Sequence, residues 1–586
     1  MNITGLNLNA LKKTYKRLKK DTKNFTSLII RDAVDHVDFN NTLDTNLNYL
    51  IEKINNDSYF PTKPLLHLTP KSKGINRPTV VLNIYDALVY RYCIEQIEDD
   101  LLFKTKQKNI RGGIKITSRR SSFSGHQFYE KWFDDWMQHN SNLEKSLKWR
   151  DYMVCTDIAS YFENINIQLL RDQIRSEITG KEYLLNLLFY FLENTIVRYN
   201  YEINTHTGLL QEDIDCARVL AYYFLRPLDE VMEKFCMKNS VEYFRYVDDM
   251  CVLVDSEITG RKALKSITES LRNLRLVASI EKTSIITSKQ STLELFFNEN
   301  KKLTKLEEEL IEKIKLKVSI KSIERKLIIL YNNLLKQKKD KYKNWQKVLK
   351  RFYQICGYGK FNIFGTEIKN HVINYPIIFS DIRIKKFVLS QKNKELNKII
   401  KTLVKYLYSD ENLYPQLESN LIDVILSIPN IKISKGNILL LKKLAIEILE
   451  SPKIYKCQSD YVKGLAALLI FKFNDSVDIV AKLYLSTKFN NSILRKYLIV
   501  VSLTSNNVHD CKNVLNKSRM DPDSNIQNLI NMLDDAKKAS KSANIKRYIA
   551  IDNLMILFKP KLKFEIKENF DNVRANVLEI VLSKYS

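Results

Sequence analysis

The stretch Tyr243-Phe-Arg-Tyr-Val-Asp-Asp-Met-Cys-Val-Leu-Val254 places two adjacent carboxylates, Asp248 and Asp249, between two apolar, aromatic and β-branched runs. Residues of those types favour β-strands, whereas Asp favours tight turns. The pattern therefore predicts a strand, a turn that carries both aspartates, and a returning strand. An Asp-Asp pair in a turn is common, so a metal site is indicated only if a second strand supplies another carboxylate.

Such a strand is predicted 91 residues upstream, where Met153-Val-Cys-Thr precedes Asp157 and an aromatic residue, Phe162, follows five positions later. Two Mg²⁺ ions roughly 4 Å apart can activate a 3′-hydroxyl and stabilise a leaving pyrophosphate, provided that separate strands bring carboxylates to one point. The two segments together predict the two-metal site of a nucleotidyl transferase. Asp157 and Asp248 are the expected ligands, and Asp249 is expected to support the metal field.

These segments resemble motifs A and C of the reverse transcriptase palm, and Tyr-Val-Asp-Asp resembles the signature box of that family. The order of the remaining motifs fits as well. The further matches are the fingers segment Lys71-Ser-Lys73-Gly-Ile-Asn-Arg77-Pro78, the motif B segment Gly208-Leu-Leu-Gln211, and the motif D segment Leu274-Arg-Leu-Val-Ala-Ser-Ile-Glu-Lys282-Thr. The likeness covers about residues 25 to 300, roughly half of the chain.

The resemblance implies roles for the residues that match the motifs. Arg77 would chelate triphosphate oxygens through its planar fork, with Lys71 or Lys73 adding a point charge. Phe162 would lie under the sugar of the incoming nucleotide and exclude a 2′-hydroxyl, so that dNTPs are preferred over rNTPs. Lys282 would donate a proton to the pyrophosphate.

Motif B departs from the family pattern. Most members have Pro-Gln-Gly, whereas this chain has Leu210-Gln211-Glu212, so that the nucleotide-site Gln211 is kept and the glycine is replaced. Glycine allows a close approach of the template backbone. Glu212 is therefore expected to add negative charge near a phosphate path and to alter template handling without abolishing catalysis.

The composition agrees with a nucleic acid partner. Lys and Arg number 94 against 67 Asp and Glu, a formal net charge of +27 in 586 residues. Such a charge favours a polyanion. Gly and Pro number only 13 and 11, which favours long helices. The eight cysteines are scattered without a Cys-x-x-Cys pair, which indicates buried, reduced thiols and no zinc site.

The predicted fold is an α+β right-hand polymerase, with fingers and palm, followed by an all-α helical-repeat-like C-terminal domain. Residues 1–150 would form the fingers with basic N-terminal helices, 151–300 the palm, and 301–586 a helical thumb or α-solenoid-like domain. Apolar spacing predicts palm helix 213–233 and charged helix 303–335. The C-terminal helices are predicted at 436–450, 461–473 and 477–485, without a strict sequence period.

A fingers–palm unit joined to a long helical tail resembles the bacterial abortive-infection and defence-associated reverse transcriptases. The resemblance implies antiphage activity and DNA synthesis that is protein-primed, untemplated or copied from a noncoding RNA. Expected partners are dNTPs, RNA or single-stranded DNA, a dedicated noncoding RNA, and other copies of the chain or a defence complex. Two Mg²⁺ ions are the expected cofactors, with Mn²⁺ as an alternative.

Other interpretations remain open at this point. The palm could be a catalytically idle scaffold that binds nucleic acid, or the chain a mobile-element reverse transcriptase that has lost an accessory domain. If priming uses a tyrosine hydroxyl, Tyr15 in the basic N-terminal stretch is one candidate among 31 tyrosines. Because no apolar leader or stretch of about 18 apolar residues is evident, a cytoplasmic protein without a membrane segment is expected.

Overall fold

The structure is a computed structural model that describes residues 5–23, 25, 27–72, 74–103, 109–111, 132–195, 208–209, 211–295, 297–338, 340, 344–365, 367–450, 454–457, 459–473, 477–541, 573–574, 576–578 and 580–581. The chain divides into two compact units. The first consists of Met1–Leu28, Leu47–Leu66 and Pro78–Phe297, and the second of Ile29–Asn46, His67–Arg77 and Asn298–Ser586. The fold class is α+β, with small sheets and a helical C-terminal region.

The strands of the described residues are short. They are β1 (Leu65–Ser72), β2 (Ile75–Val81), β3 (Ile110–Arg111), β4 (Tyr152–Thr156), β5 (Gln211–Glu212), β6 (Glu242–Tyr246), β7 (Asp249–Val254) and β8 (Ser284–Thr287). One sheet has the order β1-β2-β5, and the other has the order β3-β6-β7-β4-β8. In the larger sheet β4 is antiparallel to both β7 and β8, β6 is antiparallel to β7, and β3 is parallel to β6.

Helices make up most of the rest. Up to residue 295 they are α1 (Leu8–Asp21), α2 (Val37–Asn41), α3 (Leu43–Asn55), α4 (Ile84–Phe103), α5 (Trp132–Leu147), α6 (Tyr161–Asn164), α7 (Ile167–Arg175), α8 (Glu182–Thr195), α9 (Cys216–Phe224), α10 (Arg226–Asn239), α11 (Glu257–Asn273) and α12 (Ser288–Glu294). Side-chain caps define several starts. Asn166 accepts the Leu169 N–H at α7, and Ser256 accepts the Thr259 N–H at α11.

Helices pack on both faces of the larger sheet. On one face, Leu143 and Leu147 of α5 form a buried cluster with Met153, Phe244 and Leu253. On the other face, α11 lies against β4 and β7. Gly260 of α11 allows this close approach, because a Cβ atom there would lie 3.0 Å from the Val154 side chain. The sheet therefore has two apolar faces and is fixed from both sides.

The predicted palm helix at 213–233 is two helices in the structure. The break lies at Leu225, between α9 and α10, and Pro227 stands in the first turn of α10. Proline is tolerated at that position because its missing N–H is not needed there, whereas it would interrupt a continuous helix. The predicted charged helix at 303–335 is likewise divided, into α13 (Phe297–Lys315) and α14 (Lys321–Lys336).

The helices that follow all belong to the second unit. They are α15 (Trp345–Gly359), α16 (Ile368–Asn374), α17 (Pro376–Phe379), α18 (Ile382–Ser390), α19 (Asn393–Leu407), α20 (Pro415–Leu426), α21 (Lys435–Glu450), α22 (Asp460–Lys472), α23 (Asp478–Ser486), α24 (Ser492–Ser502), α25 (Val508–Arg519) and α26 (Ser524–Lys541). The helices predicted at 436–450, 461–473 and 477–485 are confirmed within a residue or two as α21, α22 and α23.

Contacts among these helices are regular. Each helix from α19 to α24 contacts the helix two places further along the chain. In two of these contacts a lysine donates hydrogen bonds to the carbonyl groups at a helix end. Lys472 of α22 donates to the carbonyls of Ile425, Leu426 and Ile428 at 2.5–3.1 Å, where α20 ends. Lys517 of α25 donates to three carbonyls at the end of α23 at 2.6–3.2 Å. A cation there compensates the unpaired carbonyls of the helix end.

None of the helices in the described ranges combines the length and the apolar character that crossing a lipid bilayer requires.

Candidate catalytic site

The carboxylates of the two predicted motifs lie at one edge of the larger sheet. In the β4–β7 pairing Thr156 faces Met250, and in the β6–β7 pairing Tyr246 faces Asp249. Asp157 follows β4 directly, and Asp248 lies in the turn between β6 and β7. Because β4 and β7 are antiparallel neighbours, the end of β4 and the start of β7 meet. The structure therefore brings Asp157, Asp248 and Asp249 to the same edge.

The three carboxylates differ in environment. Asp157 is 2 % exposed, Asp248 is half-buried, and Asp249 is exposed. The Oδ2 atom of Asp157 forms an ion pair with the Lys282 ammonium. Its Oδ1 atom is buried and has no hydrogen-bond partner among the described residues. A buried carboxylate oxygen without a donor is costly, so this atom is suited to accept a cation.

Backbone hydrogen bonds hold Lys282 beside Asp157. The Ser279 N–H donates to the Asp157 carbonyl at 2.7 Å, and the Ala159 N–H donates to the Val277 carbonyl at 2.9 Å. Lys282 ends the 3₁₀ turn that follows, Ile280–Lys282. The predicted motif D lysine is thus anchored next to the motif A aspartate, and its side chain, 49 % exposed, reaches that carboxylate.

The turn that carries Asp248 has a strained backbone, which hydrogen bonds to neighbouring residues hold in place. Val247 has φ +60°, a left-handed conformation that is rare for a β-branched residue. Its N–H donates to the Arg111 carbonyl at 3.1 Å, and its carbonyl accepts from Arg245 Nη1 at 2.8 Å. Arg245 also forms a buried ion pair with Asp229, with distances of 2.5 and 2.8 Å. The turn therefore depends on a buried guanidinium.

The environment of Arg245 favours its charged form. Burial acts to lower the pKa of Arg245, but the adjacent Asp229 carboxylate outweighs burial and raises it. The guanidinium also lies over the Tyr222 ring, 4.7 Å from its centroid. Sequence inspection missed this support, because Arg245 lies inside an apolar strand and Asp229 inside a helix, with no local signal that joins them.

The motif B segment is tied to the residues that follow Asp157. The Leu209 N–H donates to the Phe162 carbonyl at 2.8 Å, and the Gly208 N–H donates to the Ile165 carbonyl at 2.9 Å. Phe162 is half-buried, with its ring 5.4 Å from that of Tyr161. Gln211 begins β5, which pairs with β2 in parallel. Phe162 and Gln211 are thus connected through one short backbone segment.

The Glu212 carboxylate is hydrogen-bonded to backbone N–H groups two and five residues further along the chain. Its carboxylate accepts the N–H groups of Ile214 and Ala217 at 2.7 and 2.6 Å, at the start of α9. It lines a cavity of about 20 Å³ whose other walls include Tyr90, Phe191 and Leu209. Burial raises the pKa of Glu212 to about 7. Helix capping accounts for this glutamate, and the expected effect on template handling stays a prediction.

Two of the residues expected to bind triphosphate lie on the smaller sheet. Lys71 is half-buried on β1, and Arg77 is exposed on β2, with its carbonyl accepting from the Thr69 hydroxyl at 3.2 Å. Lys73, the third residue expected to bind triphosphate, lies outside the described residues. The roles of Lys71 and Arg77 stay predictions.

Tyr15 is a poor priming residue. It lies on the inner face of α1, is 2 % exposed, and has its ring 6.0 Å from that of Phe25. A phenol in this position cannot reach a nucleotide while α1 is folded. The basic residues Lys12, Lys16 and Lys19 are on the same helix, but the helical period places Tyr15 on the buried side.

A second cluster of ligand-type residues was not expected from the sequence. Asp32, His36 and Asp38, in the second unit, have ligand atoms within 4.8 Å of one another, and this buried group has the geometry to hold a metal ion. Lys496 reaches into the same group, with Nζ 2.9 Å from Asp32 Oδ2 and 2.5 Å from Asp38 Oδ2. The ammonium thus already supplies the positive charge that a metal ion would bring.

The carboxylates of the larger sheet are less tightly grouped. The ligand atoms of Asp157, Asp248 and Asp249 do not all lie within 4.8 Å of one another. Their fit to Mg²⁺ rests on the all-oxygen donor set, the convergence of their strands and the buried Asp157 Oδ1 atom, which lacks a donor among the described residues. Asp157 and Asp248 are the residues that would hold the ions.

No protein-family model matches the chain, and no curated protein matches it either. The function is therefore inferred from the residues and their geometry.

Proposed function

We propose that the protein is a reverse-transcriptase-like DNA polymerase built on a right-hand fingers-and-palm scaffold, with a helical-repeat-like C-terminal domain. The observation that carries the proposal is the meeting of Asp157, at the end of β4, with the β6–β7 turn that presents Asp248. Separate strands bringing carboxylates to one edge is what two-metal nucleotidyl transfer requires.

Each residue of the site has its own role in the proposed reaction. Two Mg²⁺ or Mn²⁺ ions would activate the attacking hydroxyl and stabilise the leaving pyrophosphate when bound at this edge. Asp157 and Asp248 hold the cations, and Asp249 strengthens the local negative field. Phe162 restricts the sugar to a deoxyribose, and Gln211 helps to position the nucleotide. Lys71, Lys73 and Arg77 bind the triphosphate through charge-assisted hydrogen bonds.

Charge supports a nucleic acid partner. The formal net charge is +27, and Lys394, Lys398, Lys401 and Lys405 are exposed at intervals of four, three and four residues along α19. That spacing places all four ammonium groups on one face of the helix, about one per 5.4 Å turn. A row of cations at this interval suits the backbone of a single strand.

We further propose a role in antiphage defence of the abortive-infection type, with RNA or single-stranded DNA as partner and with other copies of the chain or a defence complex as assembly. The likeness of the motif set and of the long helical tail supports this proposal. DNA synthesis would be untemplated, copied from a supplied RNA or from a dedicated noncoding RNA, and primed by nucleic acid or by a side chain.

Incubation of the purified protein with labelled dNTPs and Mg²⁺ tests the polymerase proposal. Wild type should form polynucleotide, alone or with a supplied RNA and annealed primer. Asp157→Ala and Asp248→Ala should each lower the rate by several orders of magnitude. Exposed Asp255→Ala is the matched control. Wild-type incorporation by Asp248→Ala would refute the assignment.

One observation favours a second candidate, a catalytically idle palm that binds nucleic acid as a scaffold. The Asp157–Lys282 ion pair neutralises the buried carboxylate without any metal ion. This candidate predicts that the protein binds single-stranded nucleic acid equally well with and without Mg²⁺ and incorporates no dNTP. Incorporation that depends on Asp157 would exclude it.

A further inference from the structure

Two thiols face each other across the strands that lead to the candidate site. Cys155 of β4 and Cys251 of β7 are directly opposite in the antiparallel pairing. Their Sγ atoms are 3.8 Å apart. Both residues are half-buried, so neither is fully enclosed by the protein. Directly opposed residues of antiparallel strands have the Cα separation that a disulfide needs.

The cysteine pair lies on the same sheet face as two of the carboxylates. Side chains alternate between faces along a strand, so Cys155 shares its face with Asp157, and Cys251 shares its face with Asp249. Both thiols pack against the apolar cluster that includes Leu143 of α5. Each thiol therefore lies two residues along the chain from a carboxylate of the candidate site.

We propose that Cys155 and Cys251 form a reversible intramolecular disulfide that acts as an oxidation switch on the candidate site. The oxidant is a peroxide. One thiolate attacks a peroxide oxygen, giving a sulfenic acid and releasing hydroxide or water, and the second thiol then displaces water as the sulfur–sulfur bond forms. Overall two thiols lose two hydrogens and the peroxide becomes two waters. A dithiol reductant reverses the step by exchange.

The expected effect on the site follows from the sulfur distance. A disulfide is about 2.05 Å long, so the sulfur atoms must approach by more than 1 Å from their present 3.8 Å. The Cα separation already suits a disulfide, so rotation of the two side chains supplies part of this approach, and β4 and β7 supply the rest beside Asp157 and Asp249. Because a displacement of about 1 Å can cost about a hundredfold in rate, oxidation should lower dNTP incorporation by up to about that factor. This regulatory consequence rests on the proposed function, whereas bond formation does not.

The test uses the full chain treated with hydrogen peroxide, alkylated with iodoacetamide under denaturing conditions and digested for peptide mass analysis. We expect a linked pair of peptides containing Cys155 and Cys251, two hydrogens lighter than the two thiols and separated by dithiothreitol. Cys155→Ser and Cys251→Ser should each abolish the linked pair. Cys236→Ser, which removes another half-buried thiol, should leave it intact.

Each outcome separates the bond from its consequence. Wild-type protein in which Cys155 and Cys251 are oxidised singly or stay alkylatable would overturn the inference. A linked pair that forms without changing dNTP incorporation would overturn the switch. If the reduced protein incorporates no dNTP at all, the proposed polymerase function fails, and the mass analysis still decides whether the two thiols pair.

Discussion

Replacement of Arg245 by Met should destabilise the first unit by about 3–5 kcal/mol, because it leaves a buried carboxylate without its partner. The side chains of Arg245 and Asp229 are 0 % and 6 % exposed, and two hydrogen bonds join them. Among the described residues, the Asp229 carboxylate then keeps only the weaker hydrogen bond from the Tyr243 hydroxyl, at 3.3 Å. At 6 % exposure the carboxylate has little access to water that could replace the lost interaction.

The double variant Arg245→Met/Asp229→Leu separates stability from function. Hydrophobic replacement of both partners of a buried pair is often nearly neutral, so the double variant should recover most of the stability. It does not restore the donor to the Val247 carbonyl, which Arg245 supplies at 2.8 Å. Since a left-handed conformation at a non-glycine residue costs about 1–2 kcal/mol, the turn that presents Asp248 should relax, and dNTP incorporation should stay about tenfold or more below wild type.

Unfolding in guanidinium chloride, followed by circular dichroism, measures stability, and incorporation of labelled dNTP measures function. Arg261→Met, which removes an exposed ion pair with Glu257, is the matched control and should cost at most about 1 kcal/mol. A loss below about 1 kcal/mol in Arg245→Met would refute the energetic reasoning. Full activity in the double variant would refute the role of Arg245 in holding the turn.

Three further predictions concern other charged groups. Because burial raises the folded-state pKa of Glu212 from 4.5 to about 7, the folded state favours its protonated form, so wild type should lose stability as pH rises through that interval, by up to about 3 kcal/mol. Glu212→Gln should remove this slope in denaturation midpoints from pH 4 to 8; a persisting slope would assign it to another group. Lys282→Met should tighten Mn²⁺ binding about tenfold in paramagnetic resonance titrations, since it removes an ammonium whose competition for the Asp157 carboxylate is worth about 1.4 kcal/mol. Lys289→Met is the control. Equal Mn²⁺ affinities of Lys282→Met and wild type would exclude competition. Lys496→Met should lower the unfolding free energy by about 3 kcal/mol or more, because two buried carboxylates lose their cation; a cost as small as that of exposed Lys482→Met would contradict the buried cluster.

The parts of the fold that sequence reasoning could reach are those whose signal is local. The β6–β7 hairpin around Asp248 follows from two apolar, β-branched and aromatic runs that are interrupted by the Asp pair. Helices α21, α22 and α23 follow from apolar spacing and from the breaks between them. The meeting of Asp157 with the hairpin was expected from the resemblance to a polymerase palm, because no local pattern states which strands are neighbours.

The parts that sequence reasoning could not reach depend on contacts between distant residues. Nothing around Arg245 indicates that Asp229 faces it, and nothing around Lys496 indicates two carboxylates near the N-terminus. Glu212 was expected to add negative charge near a phosphate path, and nothing in its local sequence indicated that its carboxylate accepts two N–H groups at the start of α9. Lys472 and Lys517 make equivalent helix-end contacts, but to carbonyls at different distances along the chain, so no fixed sequence period indicates them.

The division of the chain has a consequence for its synthesis. Residues Ile29–Asn46 belong to the second unit, and Lys496, the cation for Asp38, is 458 positions later in the chain. At a translation rate of about 5–20 residues per second, those carboxylates wait roughly 20 to 90 seconds on the ribosome before their partner is made. Water must solvate Asp32 and Asp38 during that time. A protein truncated near residue 300 would never make Lys496, so Asp32 and Asp38 would stay solvated and unpaired with it. Such a truncation therefore also changes the folding of the N-terminal segment, and its effects cannot be assigned to the C-terminal helices alone.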